Sequence, residues 1–186
     1  ILACSEPEGY TTSWDDCDDT DEDTHPGAVE LCDGNNNDCD LTTSEKGSAT
    51  FWGADGTVEH DPDFGGGLSS PDRTPPTQAG TLRVCEGVHF IEWELEHDLT
   101  VVAQVVDPPG AVTFHGGNSR ALFRFGDGEE GSGEAVDLTL RGGTLTSAAT
   151  TGAGGAVICS ASSMGGSSVY VLDTILEGND SAGDGA

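Results

Sequence analysis

Ile91-Glu92-Trp93-Glu94-Leu95-Glu96 decides the fold class. Apolar and acidic residues alternate strictly along it. Ile91, Trp93 and Leu95 therefore fall on one face, and Glu92, Glu94 and Glu96 on the other. A period of two belongs to a strand with one buried and one solvated face. Reading outward, similar short runs follow: Leu99-Thr100-Val101-Val102-Ala103, Ala111-Val112-Thr113-Phe114, Ala121-Leu122-Phe123-Arg124-Phe125, Val136-Asp137-Leu138-Thr139-Leu140, Ala156-Val157-Ile158-Cys159 and Val169-Tyr170-Val171-Leu172. Each is bounded by Gly, Asp, Asn or Ser, and no helical period competes with them. The expectation from Gly80 onward is mostly β.

A weak repeat refines that expectation. Thr151-Gly152-Ala153-Gly154-Gly155-Ala156 returns as Ser181-Ala182-Gly183-Asp184-Gly185-Ala186, and the same offset maps Leu145 onto Ile175. Short strands repeating at such a period suggest a solenoid. The 28 glycines suit tight corners. Residues 80–186 are therefore expected to form a partial right-handed parallel β-helix, of about five coils. A β-sandwich is the alternative that also accommodates short strands between turns.

Residues 1–45 have a different texture. They hold 14 acids and no Lys or Arg, in a chain of 34 acids, 6 basic residues and net charge -28. Leu2, Tyr10, Trp14, Val29 and Leu31 are too few to build a core, so disulfides and metal must hold the segment if it folds. Residues 46–79 read as a connector, with an apolar patch at Phe51-Trp52 and a Gly/Pro/Ser-rich end. The charge makes nucleic acid and anionic membrane surfaces poor partners, since a polyanion does not bind a polyanion without help; no nucleic acid is expected. A divalent cation is the natural partner, because carboxylates this dense repel unless a cation sits among them. Adaptation of a whole proteome to high salt would also explain the scarcity of Lys.

The acidic run has the oxygen-ligand pattern of a calcium site. Asp19, Asp21 and Asp23 fit positions one, three and five of a twelve-residue loop, and Glu30 fits position twelve. Thr24 stands where such loops carry Gly, and Pro26 interrupts the loop, so a helix-flanked EF-hand is excluded. Asp16 and Asp18 extend the ligand set. Asp33, Asn35, Asn37, Asp38 and Asp40 form a second alternating cluster.

Ala3-Cys4, Pro7, Gly9-Tyr10, Asp16-Cys17-Asp18-Asp19, Pro26-Gly27-Ala28, Glu30, Cys32-Asp33-Gly34 and Asn37-Asp38-Cys39-Asp40 together resemble a known acidic, cysteine-containing metal-binding motif repeat. That repeat occurs in secreted and surface proteins of bacteria, and one member is an outer-membrane copper protein of a methane-oxidising bacterium. The pattern is also similar to thrombospondin type 3 repeats, which wrap calcium. The resemblance covers residues 1–45. It implies Asp16, Asp18, Asp19, Glu30, Asp33, Asp38 and Asp40 as ligands; Asp21, Asp23 and Asn37 complete the candidate set. The chain departs from the family at Asn36, where an acid is usual, and after Asp40, where Leu41-Thr42-Thr43-Ser44 replaces further acids. Both departures weaken the second cluster.

Four of the six cysteines lie in residues 1–45 and favour an oxidising compartment. Cys4, Cys17, Cys32 and Cys39 allow three pairings, and the sequence does not choose among them. The working expectation is Cys4 with Cys17 and Cys32 with Cys39. Cys85 and Cys159 read as buried small residues or as a further bridge. A zinc site of these thiolates is disfavoured by the hard oxygen ligands around them. Copper prefers imidazole, and His25, His60, His89, His97 and His115 show no tight pair spacing. Calcium is therefore the expected cofactor, and copper is not expected.

The β-rich part resembles the repeats of polymorphic outer-membrane proteins, through Gly154-Gly155-Ala156-Val157-Ile158 and Glu177-Gly178-Asn179 followed by Gly185-Ala186. Solenoids of this class include polysaccharide-cleaving enzymes. Such chemistry needs paired carboxylates, or a base beside calcium, in one cleft. Arg83, Arg120, Arg124 and Arg141 form no such cluster in the sequence, and no nucleophile elbow, zinc-protease motif or phosphate loop is present. The chain reads as a piece of a longer secreted or cell-surface bacterial protein. A structural or adhesive, non-enzymatic role is expected. A carbohydrate-active or carbohydrate-binding surface is the first alternative, and copper capture the second. A surface polysaccharide or another surface protein would be the macromolecular partner, with no membrane insertion in this segment.

Overall fold

The computed structural model of the chain describes residues 16–60, 75–104, 112–117, 121–125, 135–146, 149–150, 155–159 and 166–181. Fifteen strands and their turns make up these residues, and none of them is helical. β1 (Ala49–Gly53) and β2 (Val58–His60) precede three sheets that the chain visits in rotation. The first pass lays down β3 (Gly80–Val84), β4 (Gly87–Phe90) and β5 (Trp93–Leu95). The second lays down β6 (Leu99–Ala103), β7 (Val112–His115) and β8 (Phe123–Phe125). β9 (Leu138–Arg141), β10 (Thr144–Thr146), β11 (Ala149–Thr150) and β12 (Val157–Cys159) follow. β13 (Val169–Leu172), β14 (Ile175–Glu177) and β15 (Asp180–Ser181) are last.

Every pairing between passes is parallel. β13, β9, β6 and β3 form one sheet, β14, β10, β7 and β4 a second, β12, β8 and β5 a third, and β11 pairs β15. A sandwich would pair its strands mainly antiparallel, so the parallel alternative of the sequence reading holds at the level of pairing. The register puts like on like. Leu82 stacks on Val101 and Val101 on Leu140, all about 1% exposed. His89, Phe114 and Leu145 form a second inward row. Trp93 meets Phe123 edge-on at 6.0 Å between ring centroids. Each such side chain contributes about 1.5–3 kcal/mol by leaving water. The alternation of 91–96 appears as expected: Ile91, Trp93 and Leu95 are buried, while Glu94 and Glu96 are exposed.

Corners are tied by side chains as well as by backbone. The Asp137 N–H donates to Asp98 Oδ1 at 2.8 Å, and the Ser168 N–H donates to Asp137 Oδ1 at 2.8 Å. Asp98, Asp137 and Ser168 each stand just before a strand of the same sheet, so a short acceptor at this position links one pass to the next. Asn179 Nδ2 bridges two passes in the same way, donating to the Leu145 carbonyl at 2.9 Å. Gly142 and Gly143 turn the chain between β9 and β10 at φ 73° and 77°. A Cβ at Gly143 would also press on Phe114 Cε2 at 3.0 Å, so this corner requires glycine twice over.

Three sequence expectations change here. The offset mapping Leu145 onto Ile175 is one position short. Thr144 pairs Ile175 and Leu145 pairs Leu176, and a slip of one position would have turned Leu145 out of the core. No single period exists, because the paired positions of the first sheet, Gly80, Leu99, Leu138 and Val169, are unequally spaced along the chain. Most of the two glycine-rich segments behind the repeat lies outside the described residues. Finally, residues expected only to connect supply two strands. β1 pairs β3 antiparallel and puts Phe51 (2% exposed) into the core, and β2 pairs β1 antiparallel.

Candidate metal-binding module

Residues 16–45 contain no strand; they are turns built by side chains. Asp16 Oδ1 accepts the Asp18 N–H at 3.0 Å, and Asp18 Oδ1 accepts both the Thr20 N–H at 3.1 Å and the Thr20 hydroxyl at 2.6 Å. The same pattern recurs from Asp38 onward. Asp38 Oδ1 accepts the Asp40 N–H at 2.8 Å, and Asp40 Oδ1 accepts the Thr42 N–H at 2.9 Å and the Thr42 hydroxyl at 2.7 Å. Both loops spell Asp-Cys-Asp-x-Thr. A disulfide joins their middle residues, Cys17 and Cys39, with Cα atoms 5.7 Å apart. The hydroxyl and amide of Thr20 hold the Asp18 carboxyl below its ordinary range, and Thr42 does the same to Asp40. Cys39 takes a positive φ of 60°, a conformation uncommon for a residue with a Cβ.

Between the loops the chain is pinned by Asn37, which is 3% exposed. Its Oδ1 accepts the Leu31 N–H at 3.0 Å, and its carbonyl accepts the His25 N–H at 2.9 Å. Glu30 Oε2 accepts the Asp38 N–H at 3.1 Å. Partial burial raises the Glu30 carboxyl above its ordinary range, and the charges of Asp38 and Glu45 raise it further. Glu30 thus lies within reach of two further carboxylates between the second loop and the β region.

A second disulfide, Cys32 to Cys85, fastens the module to the end of β3. Both cysteines are fully buried. Around them the Cys32 N–H donates to Thr50 Oγ1 at 3.0 Å, and Gln104 Nε2 donates to the Asp33 carbonyl at 3.2 Å. Glu45 Oε2 accepts the N–H groups of Asp33 and Gly34, each at 3.0 Å. Lys46 pairs with Glu86 at 3.0 Å. The expected bridges therefore change: Cys17 joins Cys39 rather than Cys4, and Cys32 joins Cys85 rather than Cys39. Cys4 lies outside the described residues. The reason is topological, since β1 returns antiparallel along β3 and carries Cys32 to the strand end where Cys85 emerges.

The predicted ligands are divided among several places. Asp16, Asp18, Asp38 and Asp40 lie in the twin loops. Asp21 is engaged locally, with Oδ1 accepting the Asp23 N–H at 3.1 Å and Oδ2 the Thr24 hydroxyl at 3.0 Å. Asp19 and Asp23 are exposed, and Glu30 turns toward Asp38. Asp33 Oδ1 accepts the Asn35 N–H at 2.8 Å. Among the described residues, the one cluster in which three Cys, His, Asp or Glu ligand atoms come within 4.8 Å is Cys32, Glu45 and Cys85. There the two sulfurs are already joined to each other, which leaves the Glu45 carboxylate as the only hard donor. Glu45 was not among the expected ligands, whereas Cys85, expected to be a buried small residue or part of a further bridge, is both. The recurrence of Asp-Cys-Asp-x-Thr was the signal that could have found the loop pair.

The chain matches no protein-family model, no curated protein and no solved structure. Among the described residues no helix is long and apolar enough to cross a membrane.

Proposed function

We propose that this chain is a calcium-stabilised structural or adhesive segment of a secreted or cell-surface protein, in which an acidic module is fastened to a right-handed parallel β-helix. The observation that carries the reading is the pair of Asp-Cys-Asp-x-Thr loops bridged by Cys17–Cys39. The bridge holds two sets of carboxylates together in a segment with no Lys or Arg before Lys46. The charges of Asp38 and Glu45 already disfavour an ionised Glu30, and a hard cation would relieve that repulsion. The resemblance of residues 1–45 to the bacterial metal-binding motif points the same way. Rotation of the chain through three parallel sheets supports the β-helix, and two disulfides support an oxidising, extracellular setting.

Calcium acts here as a structural ion and carries out no chemistry. Asp16, Asp18, Asp38, Asp40 and Glu30 would supply its oxygens; no three of their ligand atoms lie within 4.8 Å of one another as the loops stand, so the ion would have to draw them together. Extracellular calcium modules work at roughly 0.1–1 mM. Titrating the full chain with Ca²⁺ by calorimetry, beside Cu²⁺ and Zn²⁺, tests the proposal. Millimolar calcium should give heat and protect residues 16–45 from proteolysis. Absence of both effects removes the calcium reading, and preferential binding of Cu²⁺ would replace it with copper capture.

A further inference from the structure

We propose that the outer face of the six-stranded sheet binds an extended acidic polysaccharide, a chain of uronic acids lying across the strands. The proposal rests on the strand register of the β region and on no ion in the acidic module. Side chains alternate across a sheet, so burial of Leu82, Val101 and Leu140 turns their neighbours outward. One outward row then runs Trp52, Thr81, Thr100, Thr139 and Tyr170, one residue from each of β1, β3, β6, β9 and β13. The row beside it contains Arg83, Val102 and Arg141. Thr50, which precedes Arg83 in that row, is covered by Cys32 of the module, so the row opens at Arg83. The protein has 34 acids against 6 basic residues. Yet none of the outward positions of β1, β3, β6, β9 and β13 is acidic, and two of the six basic side chains stand in one row there; the exposed Glu59 lies on β2, at the margin of the sheet. The neighbouring sheet carries Glu94 outward, opposite Arg124.

That distribution describes a ligand with regularly spaced carboxylates. Neighbouring strands are about 4.8 Å apart, so Arg83 and Arg141 are spaced by about 9.6 Å and Trp52 and Tyr170 by about 19 Å. A sugar chain laid along this direction meets an aromatic ring at either end, hydroxyls between, and a guanidinium at every second step. Aromatic rings offer a flat apolar body to sugar C–H faces, and the guanidinium fork matches a carboxylate with two parallel hydrogen bonds. The Arg83 guanidinium already lies over the Trp52 ring, 5.1 Å from its centroid, which limits the ordering it must undergo on binding. Among the described residues neither Arg83 nor Arg141 is ion-paired. Tyr170 is 54% exposed and open to stacking.

The test is calorimetric titration of the full chain with tetragalacturonate, in chelator and again in calcium. Cellotetraose and a poly-glutamate peptide serve as neutral and charge-only comparisons. Tetragalacturonate should bind in chelator, at least tenfold more tightly than either comparison. Loss of one charged hydrogen-bonding partner should weaken it about tenfold in R141Q, and R83Q/R141Q should abolish it while circular dichroism is unchanged. Arg141 is exposed, so R141Q keeps the fold and reads the contact alone. Any one of four results overturns the proposal: no binding, binding seen only with calcium, equal binding of poly-glutamate, or full affinity in R141Q. The second of these would assign the glycan to the acidic module and leave its calcium reading standing.

Discussion

The module of residues 16–45 and the stacked sheets of residues 80–181 reach order by opposite means. In the sheets, apolar side chains repeat at fixed positions, and burial of one row on the next supplies the free energy. In the module almost nothing apolar is buried besides Cys32. Its backbone is shaped by carboxylates accepting the N–H two positions ahead, and two covalent bridges hold the result. Hydrogen bonds of exposed groups give little net stability in water, so the bridges and any bound cation must offset the chain entropy. The comparison teaches that, in a chain with net charge -28, the charge-rich module is ordered by borrowing from the apolar part.

The sharpest way to break this contrast is Trp93→Ala. It removes the largest fully buried side chain among the described residues and should cost about 3–5 kcal/mol, seen as a lower midpoint in denaturant unfolding. If the module carried its own stability, its proteolytic protection would survive this change; borrowed order predicts that it falls with the sheets. The double variant C32S/C85S opens a bridge of sequence separation 53. Loop-closure entropy puts its contribution at about 4 kcal/mol. Limited proteolysis should then cut within residues 16–45 first. C17S/C39S opens the bridge of separation 22, worth about 3 kcal/mol, and should leave unfolding of the sheets, followed by Trp fluorescence, nearly unchanged.

Calcium should have a smaller effect. At ten times its dissociation constant, a ligand of the folded state adds about 1.4 kcal/mol. That increment should appear in proteolytic protection of the module and be absent in E30Q. The pH response separates the carboxylates further. The Glu30 carboxyl is raised in the folded chain, so without calcium its contribution is fully present below the ordinary glutamate range. It is lost as pH rises through the raised value. E30Q should therefore steady the calcium-free module at neutral pH while removing its response to the ion. Asp18 and Asp40 are lowered and act in the other sense. Their contribution is present above the ordinary aspartate range and disappears as pH falls through their lowered values. Thr20→Val with Thr42→Val should shrink that acid-side loss, measured by far-ultraviolet dichroism across an acid titration.

Much of the β region was legible because its pattern is local. Strict alternation at 91–96 and the runs from Leu99 to Leu172 name their own inward faces. Strands such as Gly87–Phe90 and Thr144–Thr146 were not legible. Their inward residues are a histidine and a lone leucine, and their strand character comes from partners on other passes, distant along the chain. The register of the repeat failed for the same reason, since passes of unequal length leave no fixed offset to read. In the module the acidic composition announced a charge problem but not its geometry. Pairing of Cys32 with Cys85 depends on β1 running antiparallel to β3, a contact that no property of Phe51-Trp52 declares in advance. Glu45 lay unnoticed because its role, accepting two backbone N–H groups, comes into being only when that contact forms.

The antiparallel β1 gives the stack a direction. Every later strand presents its neighbour with an edge of the same sense, and such an edge can be copied by one more pass of similar chain. β1 reverses the sense, and β2, short and exposed along its length, folds back over the remaining edge. In the first sheet the sense thus changes only at β1, and β13, with Val171 and Leu172 exposed, is the last of the described parallel strands. Duplication of a pass would extend the molecule away from the acidic module and leave the junction with it undisturbed.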